Sequence, residues 1–256
     1  ACNGAATGSV TLTPGGGSPA YSFVWSNAAI TQNLTNVVAG TYTVTVTDNN
    51  GCTTTTSAVV GQPTAVTAAA VPTDAACNGA ATGSVTLTPG GGSPAYSFIW
   101  SNAAITQNLT NVVAGTYTVT VTDNNGCTTT TSAVVGEPST ITITDINTNV
   151  SCNSALDAAI DITISGGTAG YTFLWSNGST NEDLNSLAGG TYSLTATDAN
   201  SCVLAYGPIT ITEPSAITTT TVSVVDATCS TTGAVDISVS GGTAGYTFLW
   251  SNGATT

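Results

Sequence analysis

Hydrophobic and polar residues alternate with a two-residue period along much of the chain. In Thr41–Thr47 the side chains of Tyr42, Val44 and Val46 fall on one side and threonines on the other. Such alternation is typical of strands with one buried face. Clusters rich in Gly, Pro, Asn and Asp separate these segments and favour tight turns. The pattern predicts short antiparallel strands joined by turns, without helices.

One aromatic segment, Tyr21–Asn27, returns three times at a spacing of 75 residues. A fixed period with strand-like alternation indicates tandem copies of one small β-domain. A single large aromatic side chain can cover much of the interior of so small a domain. We therefore expect one core tryptophan in each copy and one core tyrosine in each of the first three: Trp25, Trp100, Trp175, Trp250, Tyr42, Tyr117 and Tyr192.

The copies end at a Gln-Pro or Glu-Pro pair, after which strand-like residues resume. This places the domains at 1–63 (repeat 1, lacking its first strand), 64–138 (repeat 2), 139–214 (repeat 3) and 215–256 (repeat 4, truncated). Repeats 1 and 2 are identical at all but two of 63 aligned positions. Because no Gly/Ser spacer separates the copies, we expect a semi-rigid rod. A cut domain would leave half a core exposed, so we expect the natural chain to continue in both directions.

Six or seven strands per copy and one buried tryptophan predict immunoglobulin-like antiparallel β-sandwiches arranged end to end. The segment Gly40–Tyr42, at the head of the strongest strand, predicts a tyrosine corner. We interpret Asn27–Gly40 as a polar connection held by Ile30, Leu34, Val37 and Val38.

The charge balance excludes several functions. The chain has 13 acidic residues and no Lys, Arg or His, for a net charge of −13. Nucleic acids and anionic lipid surfaces are therefore not expected partners, and no apolar run is long enough to insert into a membrane. Without His or Lys the usual general bases are missing, so we do not expect an enzyme.

Seven cysteines recur in step with the repeats: the first three copies each have one early and one late cysteine, 50 residues apart, and the fourth has the early one. This spacing fits disulfides better than zinc ligands. We predict the pairs Cys2–Cys52, Cys77–Cys127 and Cys152–Cys202, with the partner of Cys229 about 50 residues further on. Disulfides indicate an oxidising compartment outside the cytosol.

Calcium is the one cofactor to consider, because acidic residues lie at strand ends. The candidate ligands are Asp48, Asp74, Asp123, Asp198 and Asp226. If the disulfides form as predicted, Asp74 and Asp123 would approach each other. Calcium needs six to eight oxygens, however, and the alternative is that Asp48 and its equivalents cap hairpin turns. We expect no metal.

The motifs together resemble a known family. They are Cys-Asn-Gly, Tyr-x-Phe-x-Trp-Ser-Asn, Ala-Gly-Thr-Tyr-x-Val-x-Val-Thr-Asp-x-Asn-Gly-Cys and Gln/Glu-Pro. This combination resembles the SprB repeat of very large surface proteins of Bacteroidota, including the adhesin of gliding motility. The resemblance implies type IX secretion and a cell-surface or extracellular position, and it carries over no catalytic residues.

The expected function is an extracellular stalk or filament segment that presents an adhesive element. Its partners would be adjacent repeats of the same chain and like chains in a filament. One alternative is a self-assembling filament in which neighbouring chains complete the cut domains. Another is a carbohydrate-binding module, which would need exposed Trp or Tyr side chains.

Overall fold

A computed structural model describes residues 2–255, and all of its regular structure is β-strand. Repeat 1 contains β1 (Gly8–Val10), β2 (Ser22–Trp25), β3 (Leu34–Val37), β4 (Gly40–Thr47) and β5 (Thr53–Val60). Repeat 2 contains β6 (Thr67–Thr73), β7 (Gly83–Gly90), β8 (Ser97–Trp100), β9 (Leu109–Val112), β10 (Gly115–Thr122) and β11 (Thr128–Val135). Residues 2–255 contain no helix that is long and apolar enough to cross a bilayer.

Repeat 3 has the same six elements as repeat 2. They are β12 (Thr142–Thr148), β13 (Ala158–Ser165), β14 (Thr172–Trp175), β15 (Leu184–Leu187), β16 (Gly190–Thr197) and β17 (Val203–Ile211). In repeat 4 the described strands are β18 (Thr218–Val225) and β19 (Ala234–Ser240). The chain forms two compact units, residues 2–75 with 79–137 and residues 76–78 with 138–255.

Each of repeats 2 and 3 is a sandwich of two three-stranded antiparallel sheets. In repeat 2 the strand orders are β6-β7-β9 and β8-β10-β11, and in repeat 3 they are β12-β13-β15 and β14-β16-β17. The first, second and fourth strands thus form one sheet, and the third, fifth and sixth form the other. This division matches the immunoglobulin fold, in which strands A, B and E face strands C, F and G. The predicted immunoglobulin-like antiparallel β-sandwich is confirmed.

The fourth strand of each sandwich was missed by the sequence prediction. The segment Asn27–Gly40, interpreted as a polar connection, contains β3, which pairs with β1. The inward side chains of β3 are Leu34 and Val37, whereas Ile30 and Val38 are exposed. Two apolar residues three positions apart do not show the two-residue alternation of a strand, and β3 has only four residues.

The cores form where the two sheets face each other. In repeat 2 the indole of Trp100 is 2% exposed and packs among residues such as Val85, Leu87 and Val119. Trp25 and Trp175 are buried equally well in repeats 1 and 3. The side chains of Tyr192 and Trp250 are half-buried.

The tyrosine corner is present in each of the three repeats where the structure describes the fifth strand. The hydroxyl of Tyr117 donates to the carbonyl oxygen of Val113 at 2.9 Å, four residues upstream. The hydroxyl of Tyr42 donates to the carbonyl oxygen of Val38 at 3.0 Å, and that of Tyr192 donates to the carbonyl oxygen of Ala188 at 3.1 Å. This bond fixes the chain where it crosses from one sheet to the other.

Candidate site at the junctions between repeats

The turn between the last two strands of each sandwich is built around one aspartate. In repeat 2, Asp123 Oδ1 accepts hydrogen bonds from the backbone N–H of Asn125 at 2.9 Å and of Cys127 at 2.8 Å. Its Oδ2 accepts from the N–H of Ser93 at 2.9 Å, in the loop between β7 and β8. The carboxylate therefore fixes both the hairpin turn and the neighbouring loop, and it sets the position of the cysteine that follows. Asp48 and Asp198 make the same three bonds in repeats 1 and 3.

Close backbone approach makes this arrangement possible. Gly92 has a φ of +60°, and a Cβ there would lie 2.6 Å from Asp123 Oδ2. Only glycine combines that conformation with the short contact. Gly92 thus makes room for the Asp123 carboxylate, a role that the sequence pattern did not reveal.

Hydrogen bonding favours the ionised form of these aspartates. The N–H of Ser18, followed by that of Cys52, lowers the pKa of Asp48 below its ordinary value of 3.8. The N–H of Ser93 does the same for the pKa of Asp123. For Asp198, burial raises the pKa but its three N–H donors outweigh that effect, so the pKa is again lowered.

Two disulfides join successive repeats. Cys2 bonds Cys127 with a Cα–Cα distance of 5.4 Å, and Cys77 bonds Cys202 with a distance of 5.6 Å. Both bonds span 125 residues. Each links the loop that precedes β1 or β7 to the aspartate-capped turn of the next repeat. Cys52, Cys152 and Cys229 have free, exposed thiols.

The predicted pairs Cys2–Cys52, Cys77–Cys127 and Cys152–Cys202 are therefore wrong. Cys77 lies at the end of repeat 2 where β7 begins, while Cys127 lies at the opposite end, beside the loop that follows β7. Eight residues of strand separate the two ends by about 26 Å, whereas a disulfide needs Cα atoms within about 7 Å. Pairing inside a repeat is sterically impossible.

The spacing of 50 residues misled because the chain is periodic. In an array with a period of 75, an early cysteine is 50 residues from the late cysteine of its own repeat and 125 from that of the next. Both sequence separations recur along the chain. The repeat pattern therefore does not distinguish pairing within a repeat from pairing between repeats. Only the location of each loop at an end of the sandwich decides between them.

The Cys-Asn-Gly motif also binds the linker that leads into the next repeat. Asn3 Nδ2 donates to the carbonyl oxygen of Pro63 at 3.0 Å, and the N–H of Gly4 donates to Gln62 Oε1 at 2.6 Å. Asn78 makes the equivalent bond to Pro138, and Asn153 to Pro214, both at 3.1 Å. The junction thus brings together three of the motifs: Cys-Asn-Gly, Gln/Glu-Pro and the Asp-x-Asn-Gly-Cys turn, which reads Asp-Ala-Asn-Ser-Cys in repeat 3.

The second unit adds a direct contact between loop and turn. Asn200 Nδ2 donates to the carbonyl oxygen of Ala76 at 3.0 Å and to Thr168 Oγ1 at 2.9 Å. The asparagine of the turn therefore holds the loop that carries Cys77 next to Cys202. The sequence pattern did not predict this contact.

The calcium candidates do not converge. Asp74 accepts a 2.7 Å hydrogen bond from the N–H of Gly136, at the end of repeat 2 opposite to Asp123. The expected approach of these two carboxylates is therefore wrong. Within residues 2–255, no group of three or more His, Cys, Asp or Glu side chains is arranged to hold a metal ion. The oxygens of Asp48, Asp123 and Asp198 are engaged with backbone N–H groups, while Asp226 lies in the exposed segment after β18.

In repeat 2, the side chains of Trp100 and Tyr96 are both engaged with the backbone of their own domain. The indole N–H of Trp100 donates to the carbonyl oxygen of Thr106 at 2.9 Å, and its ring is enclosed in the core. The hydroxyl of Tyr96 donates to the carbonyl oxygen of Gly91 and holds the glycine-rich turn. Both aromatic positions therefore support the fold.

Comparison with protein families identifies the repeat. The family profile of the SprB repeat matches residues 1–30, 69–105, 141–180 and 221–255, together more than half of the chain. A search of curated proteins found no match.

Several solved immunoglobulin-domain structures show a remote likeness. The N-terminal eight domains of Down Syndrome Cell Adhesion Molecule align at 15% identity and TM-score 0.33, over 80% of this chain and 33% of that one. Extracellular domains 3–5 of Drosophila OTK align at 12% identity and TM-score 0.29, over 73% of this chain and 83% of that one. Dpr2 Ig1-Ig2 in complex with DIP-Theta Ig1-Ig3 aligns at 11% identity and TM-score 0.27, over 75% of this chain and 89% of that one. The chain spans about a third of the first of these, and TM-scores this low carry no argument.

The four matched segments recur with the 75-residue period, and each contains the aromatic motif and the early cysteine, which is followed by Asn-Gly in the first two. The chain belongs to the SprB repeat family.

Proposed function

We propose that this chain is a spacer segment of a large extracellular adhesin, which holds an adhesive element at a distance from the cell. Its disulfides and its family indicate an extracellular or surface protein, and repeat families of this kind are generally non-enzymatic. Secretion by the type IX system and a part in gliding motility belong to the same proposal.

The observation that supports a mechanical role is the pair of disulfides between repeats. Because the loops closed by Cys2–Cys127 and Cys77–Cys202 overlap in sequence, pulling on the chain cannot extend either loop freely. The shortest covalent path from Cys2 to Cys202 crosses both bonds and only the 50 residues between Cys77 and Cys127. When its domains unfold, a spacer built this way lengthens far less than it would without the two bonds.

Single-molecule force spectroscopy tests this directly. At about 3.5 Å per residue, the 200 residues between Cys2 and Cys202 would extend to about 700 Å after reduction and to about 175 Å when oxidised. We expect unfolding of the oxidised protein to release the shorter length. Equal lengths with and without reductant would contradict the proposal.

A single variant separates this arrangement from bonds within repeats. In Cys77→Ser the Cys2–Cys127 bond remains, so 75 residues, or about 260 Å, should extend between Cys2 and Cys202. Bonds within repeats would instead leave 100 residues, about 350 Å, in the same variant. Cys229→Ser is the matched control, because Cys229 has a free thiol, and it should leave the oxidised length unchanged.

A further inference from the structure

Repeat 3 differs from repeat 2 in its last strand. Strand β17 has nine residues where β11 has eight, and its pairing with β16 shifts between Tyr192 and Leu194. Gly207 and Pro208 there lie opposite the single residue Ser193, which makes a β-bulge. The pairing of β10 with β11 has no such shift. The bulge therefore distinguishes repeat 3 from repeat 2.

The bulge depends on a glycine. Gly207 has a φ of +104°, and a Cβ there would lie 3.0 Å from the carbonyl oxygen of Tyr192. Any other residue would be strained in that conformation. Bulges commonly redirect a neighbouring side chain at a functional site, so the residue next to Gly207 is of interest.

That residue, Tyr206, reaches the first strand of the repeat. Its hydroxyl donates to Asp145 Oδ1 at 2.6 Å, and Asn147 Nδ2 donates to Asp145 Oδ2 at 3.3 Å. The bond to Asp145 raises the pKa of the Tyr206 hydroxyl above its ordinary value of 10.0, so the hydroxyl remains a donor. The phenol and the amide together hold the carboxylate in place.

Asp145 occupies a position at which an apolar side chain would stabilise the fold better. It follows the buried Ile143 by two residues, so both side chains lie on the inward face of β12. Placing a carboxylate there costs free energy of desolvation. The polar group of three in repeat 3 replaces Ala70, Pro72 and Thr131 of repeat 2, and Ala70 packs against the core.

A cavity of about 460 Å³ lies beside these groups. Its lining includes Asp145, Asn147, Tyr206 and Thr210 together with the apolar side chains of Pro208 and Ile209. The cavity therefore combines a carboxylate, an aromatic residue and apolar surface.

Charge decides which class of ligand suits this cavity. The chain has no Lys, Arg or His, so the cavity has no cationic side chain for an anionic ligand. An ammonium group only donates hydrogen bonds, and both a carboxylate and an aromatic ring attract it. The net charge of −13 attracts a cation as well, whereas a neutral polyol gains nothing from it.

We propose that this cavity of repeat 3 binds a primary alkylammonium group, carried by a lysine side chain of another protein or by a free alkylamine. The ammonium group donates to the oxygens of Asp145, and its alkyl chain lies against Pro208 and Ile209. Repeat 3 then has a binding function in addition to its role in a spacer.

The test titrates the oxidised, 15N-labelled 256-residue protein with Nα-acetyl-lysine methylamide and, separately, with n-butylamine. Both should shift the amide signals of Asp145–Asn147 and of Tyr206. The amides of Ala70 and Thr131 should not move, because repeat 2 has no carboxylate at that place. Tighter binding of the lysine derivative assigns the site to a protein partner, and tighter binding of butylamine assigns it to a free amine.

Two variants separate this site from general attraction to an acidic chain. Asp145→Asn removes the charge but keeps the shape, so we expect amine binding at least about tenfold weaker. The matched variant Asp161→Asn removes an exposed carboxylate from β13 of the same repeat and should leave binding unchanged.

A neutral ligand completes the experiment without any change to the protein. n-Butanol has the same alkyl chain as butylamine and no charge, so it should bind at least about tenfold more weakly. Equal binding of butanol and butylamine, or equal binding of the amines by Asp145→Asn and the unchanged protein, would overturn the proposal. So would the absence of any shift with both amines at millimolar concentration.

Discussion

Repeats 1 and 2 carry almost the same sequence but differ in how well their cores are closed. Trp25 and Trp100 are equally buried, and both tyrosine corners are intact. The residues below β6 are sealed in repeat 2, whereas their equivalents in repeat 1 line an open groove. In repeat 2, β6 thus covers one sheet and pairs along β7, which has eight residues where β1 has three. The buried tryptophan and the tyrosine corner are the same in both repeats.

Truncating the leucine below β6 is expected to give the largest difference between the repeats. Leu87→Ala should destabilise repeat 2 by about 2–5 kcal/mol, the usual cost of a cavity in a closed core. Leu12→Ala should destabilise repeat 1 by less than half as much, because its side chain is already partly in water. Denaturant titration followed by the 19F signals of fluorinated Trp100 and Trp25 reads the two repeats separately. Equal losses would show that β6 does not seal the core.

Removing the corner hydroxyl should instead affect both repeats alike. Tyr117→Phe and Tyr42→Phe each lose one hydrogen bond of about 3.0 Å to a backbone carbonyl, so we expect about 1 kcal/mol in each case. The same 19F titration measures both variants. A much larger loss in one repeat would mean that β6 also stabilises the corner.

Acidification should produce the smallest difference between the repeats. The folded pKa values of Asp48 and Asp123 are lowered, so their hydrogen bonds stabilise the fold fully above the ordinary value of 3.8. This contribution is lost as the pH falls below 3.8 through the folded pKa. With no histidine, the chain should show no step between pH 5 and 7. Denaturation midpoints measured from pH 2 to 7 check both statements. A midpoint that stays flat below pH 3.8 would contradict the role of the aspartates.

The sequence was sufficient for the parts of the fold that depend on local alternation. The strand Thr41–Thr47 appears as β4, and the Asp48–Gly51 turn forms as a hairpin because both signals lie within a few residues. The short strand β3 lacked such a signal. Its partner β1 is 24 residues away, and pairing at that range leaves no periodic mark in either segment.

The junction was harder to predict because it depends on which end of a domain each loop occupies. All of its motifs were visible in the sequence, including Cys-Asn-Gly and the Gln62-Pro63 pair. Their contacts, such as Asn3 with Pro63, join residues about 60 positions apart. They can be predicted only when the three-dimensional arrangement of the strands is known. The same is true of the pairing of Cys2 with Cys127.

The central claim is that disulfides join neighbouring repeats, and mapping of the unreduced protein tests it most directly. The chain offers trypsin no site, but cleavage before each aspartate places every cysteine in its own peptide. We expect peptide 1–47 to be linked to 123–144, and 74–122 to 198–225. Links between 1–47 and 48–73, or between 74–122 and 123–144, would show that each repeat closes its own disulfide and would contradict the account.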